Sequence, residues 1–327
     1  MLDKIPLAGG SELGDTGTSC SHLPKEREVT HVTNEIEGRI SAPRPVYQAQ
    51  RGVWFVLFLA CSLLVFVVFS HYYPLFSGWT DIAGRIAVAS IFLVAALLSR
   101  RSERFRPYWR VWFAFATACI AISLDYYLGL SKWLLPALRI TGDSPAGWAI
   151  DKLESSGLSI LVVLLLTLAS GDDLRSLYLR RGNLRLGLAV GLIVLVVIIA
   201  TAIPVTGGFF NGQNLSWARI LPWTPWVLIF VMANALNEEL LFRGLFFGRL
   251  EPFLGRFAVN LVVAIPFTLM HTGVEYTANL LIFVGMLFPL SLAWGWLLQK
   301  TDSLWGSVLF HAAMDIPIVL GLFSNLA

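Results

Sequence analysis

Charge is what this chain has least of. Asp, Glu, Lys and Arg make up 14% of its 327 residues, where a soluble domain carries about 25%. Hydrophobic residues make up 56% and the mean hydropathy is +0.70, so the chain belongs in a lipid bilayer. A net charge of +3 is too small to argue for nucleic acid as a partner. Cysteine is scarce too. Cys20, Cys61 and Cys119 lie far apart with no C-x-x-C pair, so neither a disulfide framework nor a cysteine metal site follows. Cys61 and Cys119 fall in apolar runs and read as small hydrophobes. Also missing are H-E-x-x-H, G-x-S-x-G and any phosphate-cradling glycine loop. The nearest approach to Gly-x-Gly-Asp is Ala169-Ser-Gly-Asp172, at a loop edge.

Residues 1–50 have no apolar run and no basic start of the kind a secretory signal needs. Their composition cannot bury enough apolar surface to offset ordering entropy, which predicts a disordered tail. His22 and His31 fall there with no helical pattern to unite them. Beyond Arg51 come nine apolar runs: 53–73, 82–99, 108–128, 150–170, 186–204, 226–247, 257–272, 278–298 and 303–322. A spanning helix needs roughly 17–25 such residues. Arg85 weakens the second run, and Asp151, Lys152 and Glu154 weaken the start of the fourth. The seventh is short and contains Pro266, so eight spans with one re-entrant or interfacial segment is the alternative. The expected fold is an all-α polytopic membrane bundle of eight to nine helices. It has a tail over 1–50, amino-terminal spans over 51–205 and a carboxy-terminal group over 206–327.

Lys and Arg near span ends set orientation. With the amino terminus cytoplasmic, fifteen basic residues flank the inside ends and four (Lys132, Arg139, Lys152, Arg219) the outside ends. That asymmetry places the amino terminus in the cytoplasm and the carboxyl terminus outside. Trp109, Trp112, Trp217, Trp223, Trp226, Trp294, Trp296 and Trp305 lie near span ends, the headgroup level that suits amphipathic rings. Gly187–Gly191 and Gly244–Gly248 have the G-x-x-x-G spacing that permits close helix approach.

One run breaks the apolar rule. Asn237–Arg243 reads Asn-Glu-Glu-Leu-Leu-Phe-Arg inside the run from Trp226 to Phe247. Each charge at membrane depth costs about 2.5–3.5 kcal/mol on insertion scales. Glu239 and Arg243, at i and i+4, share a helix face and neutralise each other. Glu238 points about 100° away and has no such partner, which marks it as the functional carboxylate. Asn234 lies one turn earlier on the face of Glu238, placed for a supporting hydrogen bond. Phe267 and His271 share a face, as do His311 and Asp315. Pro266, Pro289 and Pro317 sit in the same helices, where kinks open room and free carbonyls. Asp125, beside Tyr126 and Tyr127 near the outer surface, reads as structural.

Glu-Glu-x-x-x-Arg at 238–243, Phe-x-x-x-His at 267–271 and His-x-x-x-Asp at 311–315 occur in that order. Together they resemble the CAAX-prenyl-protease and bacteriocin-processing (CPBP, or Abi) family of intramembrane endopeptidases. The resemblance covers roughly 220–320. It implies that Glu238 activates water, that His271 helps hold it, and that His311 and Asp315 face the scissile carbonyl. Glu239 and Arg243 would form the supporting pair. The implied partners are the lipid bilayer and a membrane-associated peptide or protein substrate. Asn often stands in the family where this chain has Asp315. Asn donates a hydrogen bond, while ionised Asp only accepts, so Asp315 must be protonated, orient His311 or bind a metal. The cofactor is therefore none or Zn²⁺. Glu238, His271, His311 and Asp315 suit the metal, and the same groups could run a metal-free glutamate mechanism.

Two readings of another class compete. A non-catalytic scaffold keeping the fold would bind without turnover. A transporter would show inverted repeats, and the amino-terminal spans hold no counterpart to the Glu-Glu motif. Depth is not reconciled on paper. At 1.5 Å per residue, Glu238 lies about 18 Å in from Trp226 and His311 about 13 Å in from the cytoplasmic end. His271 comes out about 22 Å from Arg256, roughly 8–10 Å nearer the outer face.

Overall fold

The structure is a computed structural model that describes residues 45–69, 76–277 and 279–326, with side chains from Gln50 onward. Cys20, His22, His31, His71 and residues 1–44 of the tail expected over 1–50 lie outside the described residues, and the last six positions of that expected tail form the first turns of a helix. Contacts group Ala49–Ala327 into one compact unit.

Among the described residues every regular element is helical. In order they are α1 (Pro45–Leu63), α2 (Trp79–Arg101), α3 (Trp109–Leu128), α4 (Ser131–Ala137), α5 (Pro145–Ala169) and α6 (Leu184–Phe209). Then come α7 (Trp217–Ile220), α8 (Thr224–Glu238), α9 (Leu245–Leu254), α10 (Arg256–Met270), α11 (Leu280–Thr301) and α12 (Leu304–Ser324). Local chemistry sets several starts and stops. Ser144 accepts from the Gly147 N–H at 3.0 Å, with Pro145 opening α5. Asn183 caps α6 through the Leu186 N–H. Asp302, at φ 55°, ends α11 in the left-handed region.

Eight segments are long and apolar enough to cross a membrane: Gln50–Val68, Trp79–Arg101, Arg106–Leu128, Pro145–Ala169, Leu184–Phe209, Trp217–Leu254, Leu280–Thr301 and Leu304–Ser324. The run read as a seventh span, 257–272, is the 15-residue α10, too short to count with them. It nonetheless joins opposite ends of the bundle. At its start, Arg256 donates to the Gln299 carbonyl at 2.5 Å and Gln299 donates back to the Arg256 carbonyl at 2.9 Å. Just past its end, the Tyr276 ring meets Phe210 and Phe283.

The loops sort into two sets accordingly. At the arginine-rich end, Arg110 and Arg249 both pair with Asp172, at 2.8 and 3.2 Å, and Arg180 pairs with Asp302. At the opposite end, the Gln213 N–H donates to Ser324 and the Asn325 amide to the Asn211 carbonyl.

α12 is the axis of the bundle: 72% of its span is buried, against 17–44% for the other seven. α6 lies along it at close range because Gly187 faces Gly306. A Cβ on Gly306 would come within 2.6 Å of the Gly187 Cα. The Gly187–Gly191 spacing thus does the work that small residues do between membrane helices. Arg85, which weakens the second run on paper, bonds Asp81 at 2.8 Å within the same helix and lies 4.6 Å from the centre of the Tyr126 ring.

Candidate active site

The Glu-Glu motif sits where α8 passes into α9 through a wider π-helical stretch, Glu239–Gly244. Such bulges recur at functional sites. Gly244 lies close under the Leu177 carbonyl, which would be 3.0 Å from any Cβ there. The loop before α6 thereby packs directly on the bulge.

Glu239 is fully buried, and its Oε1 accepts two bonds: one from Arg243 Nη1 at 2.7 Å and one from His311 Nδ1 at 2.8 Å. Arg243, equally buried, also donates through Nη2 to Ser291 Oγ at 2.6 Å and lies 4.5 Å from the centre of the Phe267 ring. The pair expected from the i, i+4 spacing therefore exists, and it extends to a third member. A carboxylate can only accept, so His311 carries its hydrogen on Nδ1 and turns Nε2 the other way. Nε2 lies 3.5 Å from Glu238 Oε2 and 3.7 Å from Asp315 Oδ1. The imidazole stacks on Trp294, with ring centres 4.0 Å apart and planes 10° apart.

Trp294 is 1% exposed. It is not one of the headgroup rings its position near a span end suggested, and it forms the floor on which His311 rests. Ser291 and Trp294 were both missed from sequence. Their helix, α11, carries no charged residue before Lys300 in its last turn, and only the fold brings that face to Arg243 and His311.

Asn234 donates to Asp315 Oδ2 at 3.0 Å, so one turn of α8 holds one turn of α12. His271 follows the last residue of α10 and folds back so that Nδ1 bonds the Phe267 carbonyl at 2.7 Å. A carbonyl cannot donate, so this hydrogen too is on Nδ1 and Nε2 keeps its lone pair. The depth mismatch dissolves when both residues are measured from the turn at Gly255. Glu238 lies 17 residues before it and His271 16 after, about 26 and 24 Å of helix. The helix carrying Glu238 runs on to Leu254, past the Phe247 boundary read from hydropathy.

Glu238, His271, His311, Asp315, Asn234, Phe267 and Trp294 all line one cavity of about 950 Å³. A second cavity, of about 420 Å³, shares Asp151, Lys152, Asn234 and Glu238 with the first and is also lined by Asp125, Glu154 and Asn237. As to a metal, no three His, Cys, Asp or Glu side chains among the described residues are grouped to hold an ion. The Nδ1 atoms of both site histidines are held by Glu239 and the Phe267 carbonyl, bonds of the kind that orient a metal-ligating imidazole and leave Nε2 as its other nitrogen.

Residues 220–317 match the family model described as type II CAAX prenyl endopeptidase Rce1-like. No curated protein and no solved structure matches the chain.

Proposed function

We propose that the chain, whose residues 220–317 match the type II CAAX prenyl endopeptidase Rce1-like family model, is an intramembrane endopeptidase in which Glu238 is the general base. One observation carries this reading. The Glu238 carboxylate stands 3.5 Å from His311 Nε2, and Glu239 fixes that ring from behind at 2.8 Å, inside the 950 Å³ cavity. A carboxylate, an imidazole and a second carboxylate in series can pass a proton through the imidazole.

Glu238 takes a proton from a water molecule whose other hydrogen is accepted by the His271 Nε2 lone pair. The water oxygen attacks the carbonyl carbon of the scissile peptide. Glu238 hands its proton to His311 Nε2, and Glu239 stabilises the imidazolium that results. His311 then gives the proton to the leaving amine as the C–N bond breaks. Asp315, steadied by Asn234, faces Nε2 from the other side and keeps the ring in line. Burial strengthens each of these electrostatic contributions relative to water.

Orientation follows the positive-inside rule. Thirteen Lys and Arg among the described residues, from Arg51 to Lys300, lie at the arginine-rich end, and Lys132, Arg139, Lys152 and Arg219 at the other. The arginine-rich end is cytoplasmic in this reading and the carboxyl terminus is outside.

The test compares peptides released from membranes containing the wild-type chain with those from Glu238→Gln. The substitution keeps size and removes the base, so cleavage products should vanish while the thermal unfolding midpoint stays within a few degrees. Identical peptide profiles from folded wild type and variant would refute the protease reading and favour a scaffold that only binds.

A further inference from the structure

Away from the catalytic cavity, the densest run of charge in the chain is the connection between α2 and α3. Arg100, Arg101, Arg104, Arg106 and Arg110 fall within eleven residues there, against one carboxylate, Glu103. All five arginines are exposed. Only Arg110 is ion-paired among the described residues, with Asp172. The backbone beneath them is tightly turned, because the Ser102 carbonyl accepts from the Phe105 N–H at 3.1 Å and from the Arg106 N–H at 2.8 Å. Tyr108 pins the turn to the bundle, its ring centre 4.4 Å from that of Trp54 and 4.8 Å from that of Phe253. Two more rings stand among the guanidiniums. Arg104 lies 5.5 Å from the centre of the Phe105 ring, and Arg100 and Arg110 lie 5.2 and 5.1 Å from that of Trp109. Phe105 is 49% exposed.

We propose that this connection is a binding surface for the headgroups of anionic phospholipids in the leaflet it faces. Arg100 and Arg101 close the span Trp79–Arg101, and Arg106 opens the span Arg106–Leu128. The guanidiniums therefore sit at the level of the lipid phosphates, the anions nearest to hand. An arginine fork grips a phosphate through two parallel charge-assisted bonds, and a turn already held in shape loses little freedom on binding. The rings separate lipid from other anionic partners. Trp109 suits the headgroup level, and Phe105 can turn its exposed face to the acyl boundary beneath the phosphates. A dissolved acidic macromolecule would answer the same charge and leave Phe105 in water.

The experiment uses the full chain in detergent micelles equilibrated with equimolar phosphatidylglycerol and phosphatidylcholine, and native mass spectrometry counts the bound lipids. Each basic residue at an anionic surface gives about a fivefold preference. In wild type the first bound lipid should therefore be phosphatidylglycerol, in about tenfold excess or more. In Arg104→Gln/Arg106→Gln, which changes two exposed side chains, the ratio should fall to about two or less. Lys132→Gln/Arg139→Gln removes the same charge beyond the far end of α3 and should leave the ratio as it was. A wild-type ratio near one, or an equal fall in both variants, would overturn the proposal. So would release of the bound phosphatidylglycerol by millimolar inorganic phosphate, since the patch would then take free phosphate. Salt gives an arm that needs no substitution and decides the matter if the double variant does not fold. Raising ammonium acetate from about 0.1 to about 1 M shortens the Debye length from about 10 to about 3 Å. The wild-type ratio should drop about threefold or more on that change, and an unchanged ratio would overturn the proposal. None of these readouts involves cleavage, so they stand or fall apart from the protease reading.

Discussion

Glu239→Gln removes the charge from a carboxylate that serves two masters. Its Oε1 accepts from Arg243 at 2.7 Å and from His311 at 2.8 Å, and both the Glu239 and Arg243 side chains are 0% exposed. Breaking a buried ion pair by removing one partner costs about 3–5 kcal/mol, mostly because the other charge is stranded. Arg243 keeps its bonds to Ser291 Oγ at 2.6 Å and the Ser291 carbonyl at 3.3 Å. It also keeps the Phe267 and Trp294 rings within 5.3 Å. None of these neutralises it, so the single variant should lose stability by roughly that amount. Removing the second charge as well, in Glu239→Gln/Arg243→Met, should recover most of the loss, since buried pairs are often replaceable by apolar groups at little cost. Activity should not recover. His311 still lacks the carboxylate that stabilises its protonated form, a loss worth up to about 10⁴ in rate in triad hydrolases. Thermal unfolding in detergent, followed by tryptophan fluorescence, gives the stability arm. Peptide release per amount of folded protein gives the other. If the double variant regains stability and activity together, Glu239 does no more than neutralise Arg243, and the three-residue relay is wrong.

Under the metal-free glutamate mechanism proposed above, Asp315→Asn should keep or raise activity, because Asn234 can still bond the new side chain through its oxygen. Stoichiometric zinc in active wild type, with zinc and activity both lost in the variant, would refute this. Gly306→Val should lower the unfolding midpoint, by about 1–3 kcal/mol of stability as for other overpacked sites, since its Cβ would meet the Gly187 Cα at 2.6 Å. An unchanged midpoint would mean that α6 and α12 do not meet as described.

What could be read from the sequence was what local periodicity and the cost of charge in lipid dictate. A lone carboxylate or imidazole in an apolar run must have a polar companion. Glu238, His271, His311 and Asp315 therefore stood out before any fold was known. The Glu239–Arg243 pair was legible because both members lie on one helix face. Asp81–Arg85 has the same spacing and went unread, because Asp81 fell one residue before the assigned start of its run. Eight of the nine runs became full-length spans, most with ends shifted by up to five residues and the run 226–247 extended to Trp217–Leu254, since hydropathy marks where chain enters lipid and not where a helix stops.

Only the tertiary structure could decide which faces meet. Trp294 looks like any span-end tryptophan until α11 packs beside α12 and sets it under His311. The π-helical turn at Glu239–Gly244 ends where Gly244, lacking a side chain, leaves room for the Leu177 carbonyl of a segment sixty-seven residues earlier. The second bond of Glu239, to His311, spans 72 residues of chain, and no spacing within one helix encodes it.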